Sequence, residues 1–198
     1  MYEQFFMLDK ELLIGINGFH NHVFDTIMLF VSSKFGWIPL YLLLVFIIIK
    51  DYRRNSWIVF FVVGLTIVIS DLSSVYLFKN VFQRLRPCYN DELSGLLHMV
   101  KPCGGKYGFI SSHAANSFAF AFLIIFLLKE KHRWIWIVML LYATIISYSR
   151  VYLGVHYPSD VIGGAAIGAL IGVGVYRLFN ILPVRSKNPV ISNNKEDQ

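Results

Sequence analysis

Charge is scarce in this chain: 15% of its 198 residues are Asp, Glu, Lys or Arg, where a soluble domain carries about 25%. With 56% hydrophobic residues and a mean hydropathy of +0.57, that shortage excludes an ordinary water-soluble domain. Long polar segments are missing too, so residues 1–184 read as one unit, and the polar tail 185–198 is expected to be disordered. The start MYEQFFMLDKELL lacks a basic segment ahead of an apolar run, so no cleavable signal peptide is expected. No glycine-rich nucleotide loop is present, and the cysteines number two. The net charge of +6 does not point to nucleic acid. The basic residues lie at the ends of apolar runs, where lipid head groups and topology account for them.

What is there, instead, is a series of apolar runs at roughly 36–49, 57–78, 110–128, 134–148 and 161–176. About 20 helical residues cross a bilayer, so the run at 57–78 fits best. Those at 36–49 and 134–148 need flanking residues to complete a span. His22 to Ser33 is half a span long, contains Asp25, and reads as an interfacial helix. The expected fold is therefore an all-α integral membrane protein, a bundle of about five transmembrane helices plus an N-terminal interfacial helix. Lys50, Arg53 and Arg54, then Lys129, Lys131 and Arg133, then Arg177, Arg185 and Lys187 fall on one side of five crossings. The positive-inside rule makes that side, with the C-terminus, cytoplasmic. Gly164, Gly168 and Gly172 give the last span a smooth face, read as helix packing within the chain before a dimer contact.

Three clusters carry chemistry, and all fall on the opposite, outer side. Lys79 and Arg86 are seven residues apart, two turns on one helical stripe that Pro87 is expected to end. Arg84 lies on another face and reads as a cation snorkelling to head groups. Ser111-Ser112-His113 sits where the long outer loop enters the third span. A serine cap there aims free N–H groups at an anion. Arg150, His156 and Asp160 lie between the fourth and fifth spans. Arg150 offers a planar fork for phosphate, and Asp160 in the first turn after Pro158 can orient the His156 imidazole. Singly, each cluster has a plain reading: snorkelling cations, a capping serine, a structural His–Asp pair. Together they supply three cations, a hydroxyl, two imidazoles and a carboxylate, suited to holding a phosphate, attacking it and protonating its leaving group. No metal-binding set is expected, since three cations would oppose one. Cys88 and Cys103, in the outer loop, form a candidate disulfide. Asp71, inside the second span, is expected to pair within the bundle. His20, His22, His98 and His132 read as surface or loop residues.

The order Lys79-x6-Arg86-Pro87, then Ser111-x-His113, then Ser149-Arg150-x5-His156-x3-Asp160 resembles the signature of the type 2 phosphatidic acid phosphatase superfamily. That superfamily shares its site with bacterial class A acid phosphatases and vanadium haloperoxidases. The resemblance implies that His156 is a nucleophile forming a phosphohistidine, that Asp160 orients it, and that His113 protonates the leaving oxygen. It implies that Lys79, Arg86, Ser111 and Arg150 hold the phosphate, with Ser112 where the family usually has a glycine whose N–H touches it. It implies no cofactor, and one partner, a membrane lipid that serves as substrate; no oligomeric state follows from it. The expected reaction is hydrolysis of a lipid phosphate or diphosphate at the outer face of a bacterial inner membrane. Undecaprenyl diphosphate ranks first, by likeness to the family's small members. Phosphatidic acid, phosphatidylglycerol phosphate and lipid A 1-phosphate compete, as does transfer of the phosphate to another lipid. A non-catalytic scaffold or transporter would need neither His156 nor Asp160.

Overall fold

A computed structural model describes residues 2–93 and 95–181, and the regular structure among them is helical. Helix α1 spans Tyr2–Gly18 and α2 spans His22–Ser32. A 3-10 turn at Phe35–Trp37 leads into α3, Ile38–Tyr52, and a second at Arg53–Asn55 reverses the chain into α4, Ser56–Leu72. A π-helical stretch, Ser73–Lys79, and the short α5, Asn80–Phe82, prolong α4. The outer loop follows, with 3-10 turns at Pro87–Tyr89 and Asp91–Leu93 and one isolated antiparallel bridge between Leu85 and Tyr107. The last three helices are α6, Ser112–Leu128, α7, Ile135–Tyr152, and α8, Pro158–Phe179. The tail at 185–198 lies outside the described residues.

Three helical segments are long and apolar enough to cross a membrane: residues 35–82, which contains the α3–α4 reversal, α7 and α8. Helix α6 is the shorter apolar centre of the bundle. It buries side chains on every flank, including Ala115, Ala119, Leu123 and Ile124, as a helix apolar all round must. Phe46, Phe61, Ile162 and Leu170 stay exposed on the outside of the bundle, where acyl chains are their natural surroundings.

Helix α8 packs on α6 through its glycine stripe. A Cβ added to Gly168 would meet the Ala115 carbonyl oxygen at 2.2 Å, and one on Gly172 the Ala119 oxygen at 2.4 Å. Only glycine permits that approach, and the stripe is spent inside the chain as expected. At the basic end, Asp51 holds the α6–α7 turn, receiving His132 Nε2 at 3.0 Å and Lys131 Nζ at 3.5 Å.

Helix α1 has no counterpart in the sequence expectation, which sought apolar runs. Its mixed pattern hides two buried polar anchors, Asp9 and Asn17. Asn17 donates to the carbonyls of Tyr152, at 2.7 Å, and His98, at 3.0 Å, pinning α1 across the end of α7. Helix α2 lies nearby, with Asp25 receiving Tyr152 Oη at 2.8 Å and His98 Nε2 at 2.9 Å. His98 and His132 thus have carboxylate partners, and the His20 ring stacks on His98 at 3.7 Å.

Candidate active site

The end of α7, the start of α8, the start of α6 and the π-helical end of α4 meet at the end of the bundle remote from Asp51. Pro158 opens α8, which places Asp160 in its first turn. Asp160 Oδ2 accepts from the Tyr157 N–H at 3.1 Å and lies 3.4 Å from His156 Nδ1. Both side chains are buried, at 1% exposure for His156 and 0% for Asp160. Burial, then the cations Arg86, Arg150 and Lys79, hold the His156 imidazole well below its usual range, against a backbone hydrogen bond at Gly108. The ring is neutral at physiological pH, with Nδ1 toward the carboxylate, so one of its two nitrogens carries no proton.

Ser111 caps α6, its Oγ accepting from Ala114 N at 3.5 Å, while its own N–H donates to the Asp160 carbonyl at 2.9 Å. The starts of α6 and α8 are thereby locked together. The first-turn N–H groups of Ser112 and His113 have no partner within the helix. Ser112 Oγ meets Ser74 Oγ at 2.6 Å and also receives Lys79 Nζ. His113, the next residue, lines a cavity of about 540 Å³ that runs between α3, α4, α6 and α7 to Leu44, Ile48 and Phe60.

Lys79 and Arg86 do not share a helical stripe. The helix stops at Phe82, because Gln83 takes a left-handed conformation at φ 47°, and Arg86 is extended. Pro87 opens a 3-10 turn instead of closing the helix. Arg86 reaches the site from the loop, its N–H donating to the Lys106 carbonyl at 3.0 Å and its Nε to that of Tyr107 at 3.3 Å. Gly108 makes this fit possible: a Cβ there would stand 3.0 Å from Asp160 Oδ2 and 3.2 Å from Arg86 Cγ. Arg150, 4% exposed, donates to Ser32 Oγ, and its Nε has no acceptor among the described residues.

Arg84 is not a snorkelling cation. Its Nη2 donates to Asp9 Oδ2 at 2.6 Å, and its Nη1 to Asp160 Oδ1 at 2.8 Å and Ser159 Oγ at 2.6 Å. The guanidinium stacks 4.1 Å from the Tyr157 ring centre. Asp9 also accepts from the Ser159 N–H at 2.9 Å, so α1 grips the first turn of α8. The contrast with the expected phosphate cations is sharp. Arg84 has two carboxylates within salt-bridge distance, whereas Lys79, Arg86 and Arg150 have none among the described residues.

The structure bonds Cys88 to Cys103 with a Cα–Cα distance of 6.3 Å, which closes the outer loop over the site. Tyr89 Oη, beside it, donates to the Gly104 carbonyl at 3.0 Å. The expected phosphate, nucleophile and acid residues therefore converge from four segments. Sequence reasoning did not single out Asp9, Ser32 or Ser74, nor Lys101, which feels the charges of Arg150 and Arg86, nor Asn116, which donates to Asp71, and it misread Arg84. An Arg-x-Arg pair was the one local signal available, since an extended segment sends residues i and i+2 to the same side.

Known proteins share this architecture. A lipid A 4'-phosphatase of Bacteroides thetaiotaomicron is 35% identical over 92% of this chain and 83% of its own. An undecaprenyl-diphosphatase of Sulfolobus acidocaldarius is 34% identical over 85% of this chain and 77% of its own. The crystal structure of Aquifex aeolicus LpxE matches with a TM-score of 0.60 at 25% identity, covering 86% of this chain and 95% of that one. The PAP2 superfamily matches residues 55–182, which hold every one of the proposed catalytic side chains. With its motifs assembled at one end of an apolar helical bundle, the chain belongs to the PAP2 superfamily and is a lipid phosphatase of that type.

Proposed function

We propose that the protein hydrolyses a lipid phosphate through a phosphohistidine on His156. The observation that carries this reading is the trio Lys79, Arg86 and Arg150, gathered beside a buried neutral imidazole and without a carboxylate within salt-bridge distance among the described residues. An anion with several oxygens satisfies all three, and it fits the free N–H groups at the start of α6 as well.

In the first step the unprotonated ring nitrogen of His156 attacks phosphorus and the bond to the lipid oxygen breaks. His113, protonated beside the phosphate's negative charge, gives its proton to that oxygen. In the second step water attacks phosphorus, the P–N bond to His156 breaks to release inorganic phosphate and restore the imidazole, and His113, now neutral, takes the water's proton. Asp160 keeps the Nδ1 side of His156 hydrogen-bonded so that the correct nitrogen is presented. Arg84, tied to both Asp160 and Asp9, acts as a positioning residue for that carboxylate. Charge spreading over the equatorial oxygens in each transition state meets Lys79, Arg86, Arg150 and the α6 N–H groups.

For the substrate, we rank a lipid A-type glycolipid phosphate first, on the likeness to the Bacteroides enzyme over nearly the whole chain. This reverses the order drawn from sequence alone. Undecaprenyl diphosphate is the second reading, favoured by the likeness to the Sulfolobus enzyme. The site would face outward from the inner membrane, with the C-terminus cytoplasmic, because the turns around Arg53 and Lys131 lie at the other end of the bundle. Phosphate release by purified protein from a panel of lipid phosphates tests the activity. The His156→Ala protein, folded by circular dichroism, should release none; substantial turnover by it would refute the reading.

A further inference from the structure

The cavity below His113 is lined by apolar side chains except for a few groups, and one pair among these stands out. Asn116 on α6 and Asp71 on α4 meet across its wall, with Nδ2 donating to Oδ1 at 3.2 Å. Asn116 follows His113 by three residues, so the pair sits about one helical turn down the cavity from that imidazole. A carboxylate can only accept, which fixes the amide with its nitrogen toward Asp71. The Asn116 carbonyl oxygen then points away, buried and without a hydrogen bond among the described residues. Asp71 keeps a second carboxylate oxygen. The pair therefore offers two acceptors: the buried Asn116 oxygen, costly to leave unsatisfied in a largely apolar cavity, and the exposed Asp71 carboxylate, open to a ligand.

A ligand that satisfies them must bring O–H or N–H groups on the leaving-group side of the phosphate, where His113 protonates the departing oxygen. A polyprenyl chain and a simple alkyl chain carry none at that place. A sugar carries several, and one that is also acylated lays its chains along Leu44, Ile48 and Phe60 farther down. We propose that Asp71 and Asn116 form a leaving-group subsite that selects an acylated sugar phosphate by its hydroxyl and amide N–H donors. The proposal rests on the phosphatase reading above and narrows its substrate class.

The test compares kcat/KM for two synthetic lipids of equal chain length: an acylated glucosamine 4-phosphate, and an alkyl phosphate without the sugar. Sites that hydrogen-bond a substrate hydroxyl reject the analogue lacking it by about 10⁴-fold when fully closed. For this open cavity the wild-type preference for the sugar lipid should be about 100-fold. Asn116→Leu should cut that ratio about tenfold and Asp71→Leu further, since a bond to a charged group is worth about twice a neutral one. Equal wild-type rates on the two lipids overturn the subsite whether or not the variants fold. Variants that slow both lipids equally overturn it too, because that is the mark of a structural pair. Release from neither lipid but from undecaprenyl diphosphate overturns the subsite, and release from none of the three overturns the phosphatase reading itself.

Discussion

Replacing Arg84 by alanine should cripple turnover although the side chain touches no substrate. Arg84 is 17% exposed and bridges two carboxylates, Asp160 at 0% and Asp9 at 4%. Among the described residues, removing it leaves the Asp160 carboxylate with the Tyr157 N–H and His156, and leaves the buried Asp9 with Ser159 but no cation. Breaking a buried ion pair in this way costs about 3–5 kcal/mol of stability. The catalytic share is smaller. One charged hydrogen bond to Asp160 is worth about 1.5–3 kcal/mol, which is a fall in kcat of about 10- to 150-fold if it is lost in the transition state. A double-mutant cycle separates positioning from general damage. If Arg84 acts through Asp160, adding Arg84→Ala to Asp160→Asn should lower kcat by less than about threefold more. Arg84→Lys should recover part of the loss while KM stays near the wild-type value. Full additivity of the two substitutions, or an effect on KM alone, would refute the positioning role.

Asp160→Asn by itself should reduce kcat severely and leave KM nearly unchanged, as measured by steady-state phosphate release; a rise in KM alone would make Asp160 a binding residue. Burial, then Arg150 and Arg86, push the Lys101 amine down to about 8. Because the folded value is lowered, Lys101 is charged below that pH and neutral above it. KM for a lipid phosphate should therefore climb as pH passes about 8, and Lys101→Arg, charged throughout, should abolish the climb; identical pH profiles would exclude Lys101 from phosphate attraction. Replacing Cys88 and Cys103 together by serine should lower Tm. The chain-entropy value for their separation of 15 residues is about 3 kcal/mol, and an unchanged Tm would show that the bond is not constraining the loop.

The bundle was legible because apolar runs of sufficient length leave few alternatives in a membrane. The motif residues were legible because their order and spacing are unusual. Capping chemistry led to a serine cap at Ser111 or Ser112, which the structure places on Ser111, and Pro158 led to Asp160 in the first turn of α8, where it lies. The failures have a common physical origin. Arg84 looked like a surface cation because its partner Asp9 lies 75 residues away, and the Arg-x-Arg spacing hints at a shared side without naming so distant a partner. Lys79 and Arg86 were set on one stripe because periodicity assumes an unbroken α-helix. A π-helical stretch and a left-handed Gln83 break that assumption without a glycine or proline to mark the place. Helix α1 escaped notice because its buried residues, Asp9, Leu13 and Asn17, alternate with exposed ones, and a search for hydrophobic runs passes over such a pattern.

The central claim is the covalent step on His156. Purified protein mixed with a radiolabelled lipid phosphate and quenched into alkali should carry acid-labile, alkali-stable label. Peptide mapping should place that label on the fragment containing His156, and the His156→Ala protein should carry none. Label on Ser111 or Ser112, or label undiminished in His156→Ala, would contradict the account.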